Sequence, residues 1–374
     1  MSMKIPVAIP YLAKNSQKYI DQALKNKAIS GLYGENLPAF EKAFADYVGV
    51  EHAISCSNGT VAIHLALAAK GIGPGDEILV ASLTNMATFF AVLYCGAIPV
   101  PVDVDPLTYT ISTDDLEAKI SPNTKGIIVV HLFGQPCAMD QVMAIAERNL
   151  IPVFEDCAES HGATFQGKQT GSFGDAGCYS FFANKIINTG EGGIVTTNSN
   201  FLAEKMRSLK SLAFGKEDKF KHECIGYNYR MDNLKAALGR AQMEEVDDII
   251  SLKLQMGRRY DQYLLDEPKL ILPISRPSIR NVYWMYHVRL VPELVSSRNE
   301  IMQGLQDEGI ETRPGFVSYT LQPFCGAEIV SKYPCPVAEE VSYATFYLPS
   351  SHEIEDSIQQ YVAEKLINIL AKFK

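Results

Sequence analysis

No stretch of this 374-residue chain is apolar for the roughly 18 residues that a membrane-spanning helix needs. The longest candidate, Gly126–Gly134, is interrupted by His131, so no membrane partner is expected. The apolar stretch Ile5–Ala13 carries Pro6 and Pro10 and is followed by no small-residue cleavage pattern, so no signal peptide is expected either. Dense Lys/Arg runs are missing: 34 basic against 43 acidic residues give a formal charge of -9, which disfavours nucleic acid or an anionic membrane as the main partner. The eight cysteines are scattered, without a CxxC pair, and no HxxxH or HExxH spacing occurs in the candidate cluster. No metal site is therefore read, and the thiols are expected as core fillers in a reducing cytoplasm. No GxGxxG directly follows a strand, which counts against a nucleotide-dependent dehydrogenase. Repeats and low-complexity linkers are lacking as well. What is there is 47% apolar residues, enough for a large core in a chain of one or two domains.

The first fifty residues combine Pro6, Pro10 and Tyr11 with helical spacing over Gln17–Lys25, a Gly31/Gly34 loop and an amphipathic stretch at Pro38–Val48. They predict an entry arm with covering helices. From His52 strand-like and helix-like segments alternate, which predicts an α/β fold with a mostly parallel sheet covered on both faces. Strands are expected at Ala53–Ser55, Ile78–Ala81, Ile98–Val102, Gly126–His131, Ile151–Glu155, Gly177–Phe181 and Gly193–Thr197, with helices beginning near Gly59, Met86, Met139 and Asn200. Such a sheet binds ligands beyond the carboxyl ends of its strands. One long helical run, Asn233 to about Leu265, leads to a strand at Tyr283–Leu290 and a helix at Ser297–Gly309 whose Ser297 and Glu300 have capping-box spacing. A closing helix is expected at Glu355–Lys374. This reading gives a large domain at residues 1–250 and a smaller α+β domain at 251–374.

One lysine stands alone in the stretch 174–197. Lys185 lies between the strand-like Gly177–Phe181 and the glycine-rich Gly190-Glu191-Gly192-Gly193. That placement suits an amine held beside backbone, as the capture of a carbonyl requires, and it equally suits a solvated loop lysine. Ser55-Cys56-Ser57-Asn58-Gly59-Thr60 follows a strand and opens a helix, where free N–H groups and the helix dipole would gather a phosphate. Asn58 is also an ordinary N-cap. Ile151–Asp156 ends a strand in two carboxylates, which puts Asp156 where ligands sit or makes it a turn cap. Glu159 and His161 complete the polar cluster that follows. A phosphate cradle, a strand-end Asp and a solitary lysine are together the three anchors of pyridoxal 5'-phosphate: the phosphate gripped, the ring nitrogen kept charged, the aldehyde captured.

The segments Ser57-Asn58-Gly59-Thr60, Glu155-Asp156-Cys157-Ala158-Glu159, Ser180-Phe181-Phe182-Ala183-Asn184-Lys185, Gly190-Glu191-Gly192-Gly193 and Gly226-Tyr227-Asn228-Tyr229-Arg230-Met231 carry a further likeness. Through them the chain resembles, over nearly its whole length, the sugar aminotransferases of the DegT/DnrJ/EryC1/StrS family, within the aspartate aminotransferase fold type. The resemblance implies that Lys185 captures the cofactor and that Asp156 pairs with its ring nitrogen. It implies that Gly59 and Thr60, next to Asn58 and with the Ser180 hydroxyl, hold the phosphate, and that Glu159 lies near the ring hydroxyl. Asn228 corresponds to an asparagine that reaches the phosphate of the neighbouring subunit, implying a homodimer with shared sites. On the substrate side the resemblance points to Arg313, in Glu311-Thr312-Arg313-Pro314, and to Tyr319.

Two departures stand out. Asn85 occupies the position where relatives stack an aromatic ring on the cofactor, and Gly315-Phe316-Val317-Ser318-Tyr319 lacks the histidine common in perosamine-forming relatives. The implied activity is transfer of an amino group from L-glutamate to a nucleotide-linked 4-keto-6-deoxy sugar, in the cytoplasm, for surface polysaccharide such as O-antigen. Amination of a 3-keto sugar and a non-catalytic regulator that keeps the fold are the alternatives.

Overall fold

The computed structural model describes residues 4–373 other than Lys216, Glu223 and Ser275. After helices α1 (Ser16–Lys25) and α2 (Asn36–Val48) the chain alternates strands and helices: β1 (His52–Cys56), α3 (Gly59–Lys70), β2 (Glu77–Ala81), α4 (Met86–Tyr94), β3 (Ile98–Val102), α5 (Thr113–Ala118), β4 (Thr124–Val130), α6 (Met139–Asn149) and β5 (Val153–Asp156). A small hairpin, β6 (Thr164–Phe165) and β7 (Lys168–Gln169), precedes β8 (Ala176–Ser180), β9 (Gly193–Thr197) and α7 (Asn200–Leu209). The seven expected strands form one sheet in the order β1-β9-β8-β5-β4-β2-β3, parallel except for β9, which runs against both neighbours.

Alternate residues along the strands feed two different cores, as the twofold pleat requires. Leu79, Val100, Val102, Ile127, Val129 and Val153 pack with Phe40 and Phe44 of α2 and Val142 and Ile145 of α6. Ile78, Val80, Ile128 and Phe154 point the other way, onto α3, Phe89 and Val92 of α4, and Met206 of α7. Burial on both faces explains why these strands read as continuous apolar runs. Helix α3 is started by Asn58, whose extended backbone lets Oδ1 accept the Val61 N–H at 2.9 Å, and stopped by Gly71 at φ 91°.

Beyond the sheet come α8 (Asn233–Met243), α9 (Val246–Leu264), β10 (Leu270–Ile271), β11 (Ile279–Arg280), β12 (His287–Leu290), α10 (Arg298–Asp307), β13 (Arg313–Pro314), α11 (Ala327–Lys332), α12 (Pro336–Ala344), β14 (Thr345–Tyr347) and α13 (Asp356–Leu370). A second sheet, β10-β12-β14-β13, shares a separate core with α9, α10 and α13 through Tyr260, Val288, Ile301, Phe346 and Leu366.

Four expectations need correction. The run from Asn233 is two helices, because Glu244 and Glu245 turn aside to bind the arm: Tyr11 Oη and Lys14 N donate to Glu245 at 2.7 and 2.9 Å, and Asn15 Nδ2 donates to Glu244 at 2.7 Å. The strand at Tyr283–Leu290 shrinks to β12, since Tyr283 has φ 47° and breaks the extended run. The Ser297 capping box does not form: Ser297 ends a 3-10 turn, Pro292–Ser297, that runs straight into α10, and its side chain accepts no cap bond. The closing helix ends at Leu370, and Lys374 lies outside the described residues. No helix among the described residues is long and apolar enough to cross a membrane.

Candidate active site

The carboxyl ends of β1, β2, β4, β5 and β8 open into one cavity of ≈ 630 Å³, into which Asn58, Gly59, Thr60, Asn85, Asp156, Glu159, Ser180, Lys185 and Arg313 all project or border. Residues more than 250 positions apart thus meet at the edge predicted for a parallel sheet. A smaller hollow of ≈ 400 Å³, between the arm and the start of α13, lies away from this set.

Lys185 sits in the loop after β8, its backbone N–H donating to Phe182 O at 2.8 Å. Its side chain is only 12% exposed, with Nζ 3.6 Å from Glu159 Oε1 and 3.9 Å from the centre of the Trp284 ring. Burial lowers its pKa, opposed by the charges of Glu159 and Asp156. A lowered pKa favours the neutral, nucleophilic amine. Asp156 ends β5, where Thr88 Oγ1 donates to Oδ2 at 2.7 Å and Ala158 N to Oδ1 at 3.0 Å. A carboxylate has about four lone-pair sites, so these bonds leave capacity toward the cavity. Burial raises its pKa, while Thr88, Ala158 and Lys185 act to lower it. Glu159 accepts the Phe133 N–H at 2.8 Å, and burial pushes its carboxyl up to about 7 against the pull of Lys185.

At the opposite wall, the Asn58 cap satisfies Val61 N–H and leaves the first-turn N–H groups of Gly59 and Thr60 without intrahelical acceptors. A Cβ at Gly59 would come within 2.7 Å of Ser180 Cβ, so only glycine lets the start of α3 lie against β8 here. Asn85 borders the cavity as the N-cap of α4, Oδ1 accepting the Ala87 N–H at 2.9 Å. Its presence is explained by that cap. Arg313 stands half-exposed at the rim, 3.3 Å from Glu311 Oε1.

Two expected residues are not brought to this cavity. Tyr319 is buried elsewhere: its ring stacks on Phe89 at 4.0 Å and meets Phe324 edge-on, so its apolar face fills core space and does not border the cavity. Asn228 is exposed, pairs through its backbone with Ser211, and does not line the cavity of its own chain.

Sequence reasoning missed Thr88, the donor to Asp156, and the aromatic side of the cavity formed by Phe182, Trp284, Phe316 and Tyr347. Thr88 lies one turn inside a helix that opens at a strand end, a position where its hydroxyl points back at the sheet edge, and that was the available signal. Trp284 gave none beyond its place in an aromatic-rich segment. His131, Glu155 and Cys157 come together as a buried cluster, in which the ring nitrogens of His131 and the oxygens of Glu155 are already hydrogen-bonded. His131 Nδ1 accepts the Cys137 N–H at 3.1 Å, which leaves Nε2–H to donate to Glu155 at 3.1 Å. Glu155 also gathers the N–H groups of Gly171, Phe173 and Gly174, so the cluster fastens a loop to β5.

The DegT/DnrJ/EryC1/StrS aminotransferase family matches residues 10–367. A GDP-perosamine synthase of Caulobacter vibrioides is 45% identical over 324 residues, 86% of each chain, and one of Escherichia coli O157:H7 is 38% identical over 364 residues, 97% of each. Among solved structures, a DegT DnrJ EryC1 StrS aminotransferase from Brucella abortus superposes with a TM-score of 0.86 at 30% identity, covering 96% of this chain and 95% of that one. The chain belongs to the DegT/DnrJ/EryC1/StrS aminotransferase family, and its cofactor is pyridoxal 5'-phosphate.

Proposed function

We propose that the enzyme moves an amino group from L-glutamate to a nucleotide-linked 4-keto-6-deoxy sugar. The observation that carries this is the meeting, in one cavity, of the Lys185 amine, the Asp156 carboxylate and the open N-terminus of α3. Its residues fit the cofactor. The glycine contact with Ser180 leaves a cradle that a Cβ would fill, Asp156 keeps lone pairs free, and the largely covered Lys185 amine stands 3.6 Å from Glu159 Oε1, beyond hydrogen-bond distance. Bound pyridoxal phosphate supplies an electron sink for the charge that develops at the donor's α-carbon. Gly59 and Thr60 N–H groups, with the Thr60 and Ser180 hydroxyls, would hold its phosphate at the positive end of α3. Asp156 holds a proton at the ring nitrogen, its own carboxylate kept in place by Thr88 and Ala158. Lys185 would hold the cofactor at its aldehyde carbon; with Nζ free, it would accept the proton leaving the donor's α-carbon and, in the reverse half, would deliver one to the sugar carbon that receives the amine. Arg313 at the rim offers its fork of donors to substrate phosphate oxygens.

The high identity to two GDP-perosamine synthases supports a nucleotide-linked sugar as acceptor, and we take the product to serve surface polysaccharide synthesis in the cytoplasm. A homodimer would bring Asn228 of each subunit to the other's phosphate, which would account for its distance from the site in its own chain. We divide the chain into a cofactor-binding part, residues 1–250, and a smaller part, 251–374. Helix α9 spans that boundary, its Ile249 and Ile250 in the first core and its Met256, Tyr260 and Leu264 in the third. The decisive experiment incubates the protein with pyridoxal phosphate, glutamate and GDP-, TDP- or UDP-linked 4-keto-6-deoxy sugars and reads the amino-sugar product by mass. The absence of an amino-sugar product from every one of these sugars would defeat the proposal.

A further inference from the structure

Trp284 is the only tryptophan in the chain, and it is buried to within 3%. Four contacts converge on it. Its ring faces the Lys185 amine at 3.9 Å, and its indole Nε1–H donates to Asn184 O, the carbonyl of the residue before the lysine, at 2.7 Å. Its backbone N–H donates to Phe133 O at 3.0 Å, and Phe133 N–H in turn donates to Glu159 Oε2, whose other oxygen stands 3.6 Å from Lys185 Nζ. The contacts therefore close a ring: Lys185, Trp284, Phe133, Glu159 and back to Lys185. Finally, the Trp284 carbonyl accepts from Lys253 Nζ at 3.0 Å, a buried amine that also holds Ser350 O at 2.6 Å.

The backbone is strained on both sides of this ring. Phe133 at φ 56° and Tyr283 at φ 47° are both left-handed without being glycine. Such conformations persist where surrounding bonds over-determine them, and they cluster at functional sites. Here the over-determination is visible: Phe133 is fixed by Glu159 and Trp284, and Tyr283 by Asn281 Oδ1 accepting its N–H at 2.8 Å. An ordinary core tryptophan needs neither strained flanks nor a ring placed over an amine.

We propose that Trp284 is a positioning residue for Lys185, its ring fixing the amine from one side while its indole N–H tethers the preceding carbonyl, so that the amine is held opposite Glu159 for cofactor capture and proton transfer. The inference rests on the role given to Lys185 above, and the two can fail separately: Lys185→Ala removes capture altogether, whereas a wrong Trp284 assignment leaves Lys185-dependent capture intact.

The test mixes cofactor-free protein with pyridoxal phosphate and follows the visible band of the captured cofactor, alongside steady-state kinetics. Trp284→Leu loses both the ring face and the N–H; losing contacts of these two kinds slows capture and lowers kcat by about tenfold to hundredfold, with KM for both substrates within about twofold. Trp284→Phe keeps a ring and loses the tether, so capture and kcat recover to within about threefold to tenfold of the parent. Because no other indole is present, emission of the parent protein also falls in proportion to cofactor loaded. Should Trp284→Leu fail to fold, Trp284→Phe and the emission measurement decide. Capture and kcat unchanged in a folded variant, a loss confined to KM, or indole emission indifferent to stoichiometric loading would each overturn the proposal.

Discussion

Replacing Glu159 by glutamine keeps an acceptor for the Phe133 N–H and removes a buried charge, which makes it the sharpest probe of the site's electrostatics. Burial pushes this carboxyl up to about 7 from the ordinary 4.5. A carboxyl whose pKa is higher folded than unfolded stabilises fully below its unfolded pKa, and that contribution is lost as pH rises through the folded value. Each tenfold change in acidity between the unfolded and folded states is worth about 1.4 kcal/mol, so the parent protein loses about 2.5 kcal/mol through this group between about pH 5 and pH 8. Glu159→Gln does not titrate, so its stability relative to the parent rises by about 2–3 kcal/mol over the same interval.

The difference between the two proteins is what isolates the group. Burial raises Asp156 as well, with the same sign, while His161, His287 and His352 are pushed down to about 3 by burial and act with the opposite sign. These are common to both proteins and largely cancel. Urea unfolding of the cofactor-free proteins, followed by circular dichroism at several pH values, provides the measurement. A difference that stays flat to within about 0.5 kcal/mol from pH 5 to 8, or that falls, would show that Glu159 ionises as an exposed glutamate does and that burial does not govern its titration.

Lys185→Ala removes the visible band formed with pyridoxal phosphate and abolishes turnover; full transaminase activity in this variant would refute the role of Lys185. Asp156→Ala lowers turnover by about 10²–10⁴-fold while Lys185 still captures the cofactor, and Asp156→Glu does not restore it, because an added methylene displaces the charge from the ring nitrogen. Near-normal rates in Asp156→Ala would return this residue to a structural role. Co-expression of Lys185→Ala with an impaired Asn228→Ala chain yields heterodimers in which one site keeps both native residues and regains activity. Verified heterodimers with no gain over the parent variants, or an active species that sediments as a monomer, would exclude a shared site.

The sheet was legible because its strands are buried on both faces: apolar runs such as Ile78–Ala81 and Gly193–Thr197, punctuated by glycine and followed by helical spacing, admit few other readings. Residues at strand ends were legible for the same reason, since the position of Asp156 at the end of β5 and of Asn58 before α3 follows from the strand itself. Where reading failed, the deciding interaction was made at long range. Glu244 and Glu245 continue a helical pattern flawlessly, and only contacts to Tyr11, Lys14 and Asn15, more than 220 positions away, break the helix there. Tyr283 ends the expected strand because its segment must bring Trp284 back against Phe133, a constraint that alternation of aromatic and polar residues does not encode.

Tyr319 shows the limit of a resemblance taken by position. Its segment does reach the cavity, but through Phe316, three residues earlier; Tyr319 itself turns inward onto Phe89. Which of two nearby aromatics faces a ligand is set by the packing of a neighbouring helix, here α4, and α4 is placed by its Asn85 cap and by Thr88 donating to Asp156. The residue that departs from the usual aromatic at position 85 is thus one that positions α4, and α4 fixes both the carboxylate of Asp156 and the orientation of the segment from Phe316 to Tyr319. The polar residues of the cavity can be read one strand at a time, whereas the aromatic wall that shapes the rest of it is a property of how the two sheets are packed together.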